Sequence, residues 1–278
     1  MSQLLSYSFL SNALLASLFM SITCGIIGTY VVSRRMVFIA GGLTHSSFGG
    51  IGIGYYLGFS PIAGAAGFAV LSALGIEYLT NKQRIRNDSA IAMFWAFGMA
   101  LGIILIYLSP GYAPNLMSYL FGSILTVTGT EVMLLFALSV LILFLFIFFY
   151  RSIVYVAFDE DFARSQRIPV DWINNILMIL IALTIVLNIR TTGIILVLSM
   201  LTIPQNIAGL FVKKFQSIMF YSVGIAFLSS ILGLICAYYL NIPGGAAIIF
   251  FMTAVFGLLK SMLLIKARKK RWEFAGKI

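Results

Sequence analysis

Charge is scarce in this sequence. Of its 278 residues only 9% are Asp, Glu, Lys or Arg, 61% are hydrophobic, and the mean hydropathy is +1.06. Soluble domains carry about 25% charged residues, so a soluble globular protein is excluded and an integral membrane protein is implied. Histidine is scarcer still, with one residue, His45, in the whole chain. The two cysteines, Cys24 and Cys236, both lie in apolar runs. Without a CxxC or a Cys/His cluster they are expected to pack as small hydrophobes, not to form a disulfide or hold a structural metal. Also missing are HExxH, GxSxG and any pair of acids within one apolar run, so the chain carries no recognisable enzymatic constellation. GxxxxGK[ST] is absent too. If the protein works with ATP, the nucleotide site belongs to another polypeptide.

What is present is a succession of apolar runs separated by short loops. A helix needs about 20 apolar residues to cross a bilayer, and the runs predict about nine crossings: 9–32, 36–58, 62–80, 89–108, 132–150, 172–189, 192–212, 215–240 and a last one ending before Lys266. Residues 116–128 are apolar but short for a crossing, which predicts a re-entrant or tilted helix buried in protein. The fold class is therefore all-α and polytopic, with residues 1–278 forming a single transmembrane domain. The net charge of +10 does not point to nucleic acid, because the basic residues lie between spans. Placing Arg34/Arg35, the 82–86 loop, Arg151, the 158–171 stretch, Lys213/Lys214 and the tail in the cytoplasm leaves only Arg190, of 18 Lys and Arg, outside. The N-terminus is then outside and the C-terminus inside. The N-terminus lacks the basic n-region of a signal peptide, so the first span is expected to be retained.

Three stretches stand out. In Met36–Gly58, Gly42, Ser46, Gly50, Gly54 and Gly58 recur every four residues, beside a second stripe with Gly41, His45, Phe48, Gly49 and Gly52. Small residues at that spacing let helices approach backbone to backbone. An imidazole among them is expected to face the bundle interior or a watery path, with Thr44, Ser46 and Ser47 beside it. In the seventh span, Ser199, Thr202, Gln205 and Asn206 surround Pro204, which should kink or break the helix. These groups either line a path or satisfy the backbone freed by the proline, and the sequence leaves both readings open. The longest cytoplasmic loop holds Phe158, Asp159, Glu160, Asp161 and Phe162. Phe158 and Phe162 are four apart and predict one aromatic face of a short helix with an acidic edge, suited to docking in a groove of a soluble partner.

The chain also resembles the metal-ion permeases of bacterial ABC importers, over nearly its whole length. The resemblance is carried by Arg34-Arg35-Met36 with Gly41-Gly42-Leu43-Thr44-His45-Ser46 and Gly49-Gly50, by the 119–125 element, by Phe158–Ile168, by Ile203–Ala208 and by Asn241–Gly245. It implies a permease subunit for a divalent transition metal, zinc first, with manganese and iron as alternatives. The metal is cargo, and no cofactor is held tightly. The implied partners are cytoplasmic ATPase subunits, an extracytoplasmic metal-binding protein and a second copy of itself or a homologous permease, in a bacterial inner membrane. His45 then stands on the translocation path as a transient metal ligand, and Phe158–Gln166 becomes the helix coupling to the ATPase. The sequence departs from the family where it usually has aspartate, with Gly41 at one position and Asn241 at another. Two competing readings remain: a stand-alone secondary carrier or channel, and a purely structural membrane subunit.

Overall fold

The computed structural model describes residues 8–109, 122 and 124–275. Among the described residues it is all helix and connecting turn, with no strand. Four helices come first: α1 (Ser8–Ser33), α2 (Val37–Leu57), α3 (Pro61–Asn81) and α4 (Asn87–Leu108). A single 3-10 turn, Ile124–Thr126, precedes α5 (Gly129–Phe148), α6 (Tyr150–Phe158) and α7 (Glu160–Ser165). Then follow α8 (Val170–Thr192), α9 (Ile194–Met200), α10 (Ile203–Phe211), α11 (Phe215–Leu240) and α12 (Gly244–Ala275). Among the described residues, eight segments are long and apolar enough to cross a membrane: α1, α3, α4, α5, α8, the joined α9–α10, α11 and α12. The 21 residues of α2 match α3 in length. They are diluted by glycine, serine and His45, yet at about 1.5 Å per residue they still cover roughly 30 Å. With α2 included, the helices agree with the expected count of about nine.

Turn chemistry sets where these helices stop. Gly58 closes α2 at φ 73°, a left-handed conformation that glycine adopts freely, and Pro61 opens α3 with a φ already suited to a helix. Arg35 sits at φ 58°, which turns the chain sharply from α1 into α2. Thr128 and Glu131 form a capping box at the start of α5. Asn241 caps α11 at φ 57°, in the expected tight turn before α12. The ends of α1, α3, α5, α10 and α12 and the starts of α2, α4, α8 and α11 thereby share one end of the bundle, where the basic residues collect. At the other end Arg190 is paired with Glu131 at 2.5 Å. That contact is an ion pair and not an aligned hydrogen bond, because the same carboxylate oxygen has no hydrogen-bond partner.

The structure corrects the sequence reading at residues 158–162 and agrees with it at the two neighbouring breaks. Span five ends close to the expected Tyr150, with the spanning helix closing at Phe148. It breaks at Phe149 (φ −107°, ψ 17°) and restarts as α6, which buries Ile153, Val156 and Ala157 on one side. Phe158 and Phe162 do not share a helix. Asp159 adopts an extended conformation (φ −152°, ψ 96°) and its side chain accepts a hydrogen bond from the Phe162 amide at 2.9 Å, so a new helix, α7, begins there. An N-capping aspartate competes with helix continuation, and here it wins. The seventh span breaks as expected, at Leu201–Thr202 just ahead of Pro204, into α9 and α10. Of the expected 116–128 helix, residues 116–121 and 123 lie outside the described residues, and Ile124–Thr126 forms only the 3-10 turn.

The small-residue stripes hold α2 between two partners. The Gly50–Gly54 side meets Gly64 and Pro61 of α3, while Gly49 and Gly52 meet Gly98 and Gly102 of α4. A Cβ at Gly50 would land on the Gly64 carbonyl, whereas one at Gly67 would meet nothing within 4 Å. Gly50→Leu is therefore expected to destabilise the fold by about 1–3 kcal/mol or more, with Gly67→Leu near neutral. Thermal unfolding in detergent of both variants measures the difference.

Candidate functional site

The close approach of α2 and α4 determines the surroundings of His45. A side chain at Gly98 would strike the backbone of Ser46, and one at Gly102 would strike that of Phe48. Trp95 lies three residues before Gly98 on α4, one turn along the same contact. Its ring stacks on the imidazole of His45, with centroids 4.4 Å apart and planes within 1°. One side of the imidazole is thus covered by indole. His45 is half-buried and so is Gly41 one turn away, while Phe38 is exposed, so this stripe of α2 opens to the surface of the chain. A Cβ at Gly41 would meet nothing within 4 Å. Thr44 and Ser46 are fully buried, and their hydroxyls donate to the carbonyls of Ala40 at 2.7 Å and Leu43 at 3.1 Å within the same helix. Among the described residues no three His, Cys, Asp or Glu side chains cluster closely enough to hold a metal ion.

The second polar set surrounds the α9–α10 break. Thr202 donates from Oγ1 to the Leu198 carbonyl at 2.9 Å, and Asn206 donates from Nδ2 to the Thr202 carbonyl at 2.7 Å. Gln205 donates from Nε2 to the carbonyls of Met200 at 3.2 Å and of Cys24, on α1, at 2.8 Å. Ser199 bonds to the Ile195 carbonyl. These groups answer the backbone carbonyls around the break, as an interrupted helix in an apolar setting requires. One atom is left over: Oε1 of Gln205 is buried with no partner. Gln205 and Asn206 also line a groove of about 240 Å³ with Thr29, Ser33, Phe256 and Lys260, open toward the basic end. The structure does not bring this set to His45. α10 packs chiefly on α11, α12 and α1, while α2 packs chiefly on α3, α4 and α8.

The third set is at the basic end. Phe158 and Phe162 remain exposed, although each has an aromatic neighbour within its own chain. Phe158 sits edge-on to Phe215 at 6.1 Å, and Phe162 edge-on to Tyr155 at 5.2 Å. The acidic edge expected beside them is largely engaged inside the chain. Asp159 caps α7 and Glu160 pairs with Arg34 at 2.5 Å, while Asp159 and Asp161 both stay exposed. Arg34 follows α1, and it also donates to the Val156 carbonyl near the end of α6 at 3.1 Å. Glu160 accepts a further bond from Asn174 of α8 at 3.3 Å. Sequence reading found neither Trp95 nor this Arg34–Glu160–Asn174 node. Trp95 had a faint signal in its spacing from Gly98 and Gly102, and the node had none, since its partners are 126 and 14 residues apart.

Comparison with known proteins places this arrangement. The ABC 3 transport family matches residues 6–264. The chain belongs to that family. Among relatives of this ABC 3 transport family protein, an uncharacterized membrane protein of Synechocystis is 41% identical over 249 residues, covering 90% of this chain and 89% of the other. The manganese transport system membrane protein MntC of Listeria monocytogenes is 32% identical over 272 residues, covering 96% and 97%. Among solved structures, PsaBC from Streptococcus pneumoniae, in complex with a Fab, superposes with a TM-score of 0.82 at 30% identity, covering 92% of each chain. The all-α polytopic permease architecture is shared with that structure.

Proposed function

We propose that this ABC 3 family member is the membrane-spanning subunit of an importer for a divalent transition metal ion, manganese first, driven by ATP hydrolysed on a separate subunit. The observation that carries the reading is its similarity, over 96% of the chain, to a relative named for manganese transport. The sequence resemblance put zinc first. Relatives named for manganese in Halalkalibacterium, Listeria and Streptococcus move the first choice. Ligand chemistry in this chain does not select a metal, since one imidazole suits zinc or iron and the carboxylate that suits manganese is missing at Gly41. Selectivity then rests with an extracytoplasmic binding protein that delivers the cargo.

In this reading the ion passes His45 on the open stripe of α2, and α7 with Phe158 and Phe162 docks on the ATPase from the cytoplasmic side. The chain lies in a bacterial inner membrane as two copies, N-terminus outside. Donors beyond His45 come from water or from the second copy, because the described residues of one chain offer no cluster of their own. A loose site suits a conduit that must release what it binds.

Uptake by the reconstituted complex, with manganese, zinc and iron in competition, tests the proposal. Manganese is expected to be taken up with ATP and displaced least by the other two. Transport into liposomes without any ATPase would establish the stand-alone carrier instead. Zinc outcompeting manganese would return the first choice to zinc.

A further inference from the structure

We propose that Arg34 and Glu160 are positioning residues that carry movement of the ATPase-docking helix to α2, the helix of His45; this rests on the docking role given to α7 above. The geometry is that of a linkage. Arg34 is the first residue after α1, in the turn that leads through Arg35 (φ 58°) and Met36 into α2. One guanidinium nitrogen holds Glu160, the first residue of α7, at 2.5 Å, and another holds the carbonyl of Val156 in the last turn of α6 at 3.1 Å. The α6–α7 corner is thereby fastened to the α1–α2 turn by a two-point, charge-assisted contact, which a guanidinium can make and an ammonium cannot reproduce. Glu160 is tied in turn to the mostly buried Asn174 of α8, a helix at the centre of the bundle.

The other ion pairs at this end are different. Arg164–Asp171 and Arg86–Asp88 are more exposed and join residues close in sequence. Arg34–Glu160 alone among them spans the chain and is partly shielded, with side-chain exposures of 25% and 34%. A displacement of α7 meets the α1–α2 turn through this pair, and the turn has little slack. The Arg34 amide bonds to Tyr30 and the Met36 amide to Val31. The α2 helix is itself locked to α3 and α4 at glycine contacts, so it moves with them as a body.

The test uses the permease reconstituted with its ATPase and binding protein, comparing Arg34→Gln, Glu160→Gln, the double variant and Arg34→Lys. Two quantities are read: manganese taken up per ATP hydrolysed, and the nucleotide dependence of thiol labelling at Gly41→Cys in a Cys236→Ser background. Each single Gln variant is expected to assemble and to lose about tenfold in uptake per ATP hydrolysed, together with the nucleotide dependence of labelling. The double variant should be no worse than either single, because two residues acting through one contact are non-additive. Arg34→Lys should fall between parent and Arg34→Gln. An unchanged ratio overturns the proposal, and so do multiplying losses in the double variant or a loss of assembly with no change in the ratio. If Phe162→Asp leaves the ATPase bound and responsive, the docking role itself has failed. If Phe162→Asp releases the ATPase while the Arg34 and Glu160 variants keep the parent ratio, only this inference falls.

Discussion

Phe162→Asp is expected to strip the permease of its ATPase, or leave the two associated without stimulation, while the membrane domain folds and inserts normally. Phe162 is 45% exposed on a helix of six residues, with its ring edge-on to Tyr155. An aromatic held out on a short, well-capped helix is the kind of anchor whose loss costs an interface about 2 kcal/mol or more, roughly thirtyfold in affinity. Aspartate adds a charge that would be desolvated in the partner's groove. It also leaves the fold alone, because Phe162 contributes its amide, not its ring, to the Asp159 cap. Phe158→Asp should act in the same direction but less cleanly, since Phe158 also packs on Phe215 of α11. Co-purification with the ATPase and metal-stimulated ATP hydrolysis measure both. Normal stimulation in Phe162→Asp would refute docking through α7.

That expectation survived a change in its own foundation. Sequence reasoning placed Phe158 and Phe162 on one helix because they are four residues apart, and helical spacing was the signal available. The capping aspartate between them was visible as a residue, but its choice of cap over helix interior depends on where α6 packs, which the local sequence does not encode. The membrane spans were far more legible. An apolar run must satisfy its backbone internally, so run length and flanking charge place most helices closely. Pro204 announced the break that the structure has at Leu201–Thr202. What the spacing in Met36–Gly58 could not say was which small-residue stripe meets which neighbour, since both α3 and α4 offer glycines. Contacts between distant segments were also beyond local signals. Trp95 over His45 and Arg34 on Glu160 exist only because helices far apart in the chain come together.

The stripe of His45 carries the second large expectation, and it has two arms. His45→Ala should lower metal uptake about tenfold or more, the equivalent of losing at least about 1.4 kcal/mol of interaction with the passing ion, without loss of assembly. The side chain is half-buried and its neighbour is the face of one indole, so its removal leaves no cavity deep in the core. A purely structural role predicts the opposite pattern, with lower yield and thermal stability but unchanged uptake per assembled complex. Gly41→Asp supplies the converse arm. Position 41 is open, with nothing within 4 Å of an added Cβ, and it lies one helical turn from His45. A carboxylate there stands beside the imidazole at the spacing at which helix neighbours meet, and it offsets the charge of a dication in a low-dielectric setting. The variant should bind manganese more tightly and release it more slowly, lowering the apparent KM for uptake while slowing maximal flux. His45→Ala introduced on top of Gly41→Asp should erase much of that gain, because the two groups would act on one ion. If Gly41→Asp changes neither constant, the open stripe of α2 does not face the cargo, and the path must be sought along the groove at Gln205 and Asn206 instead.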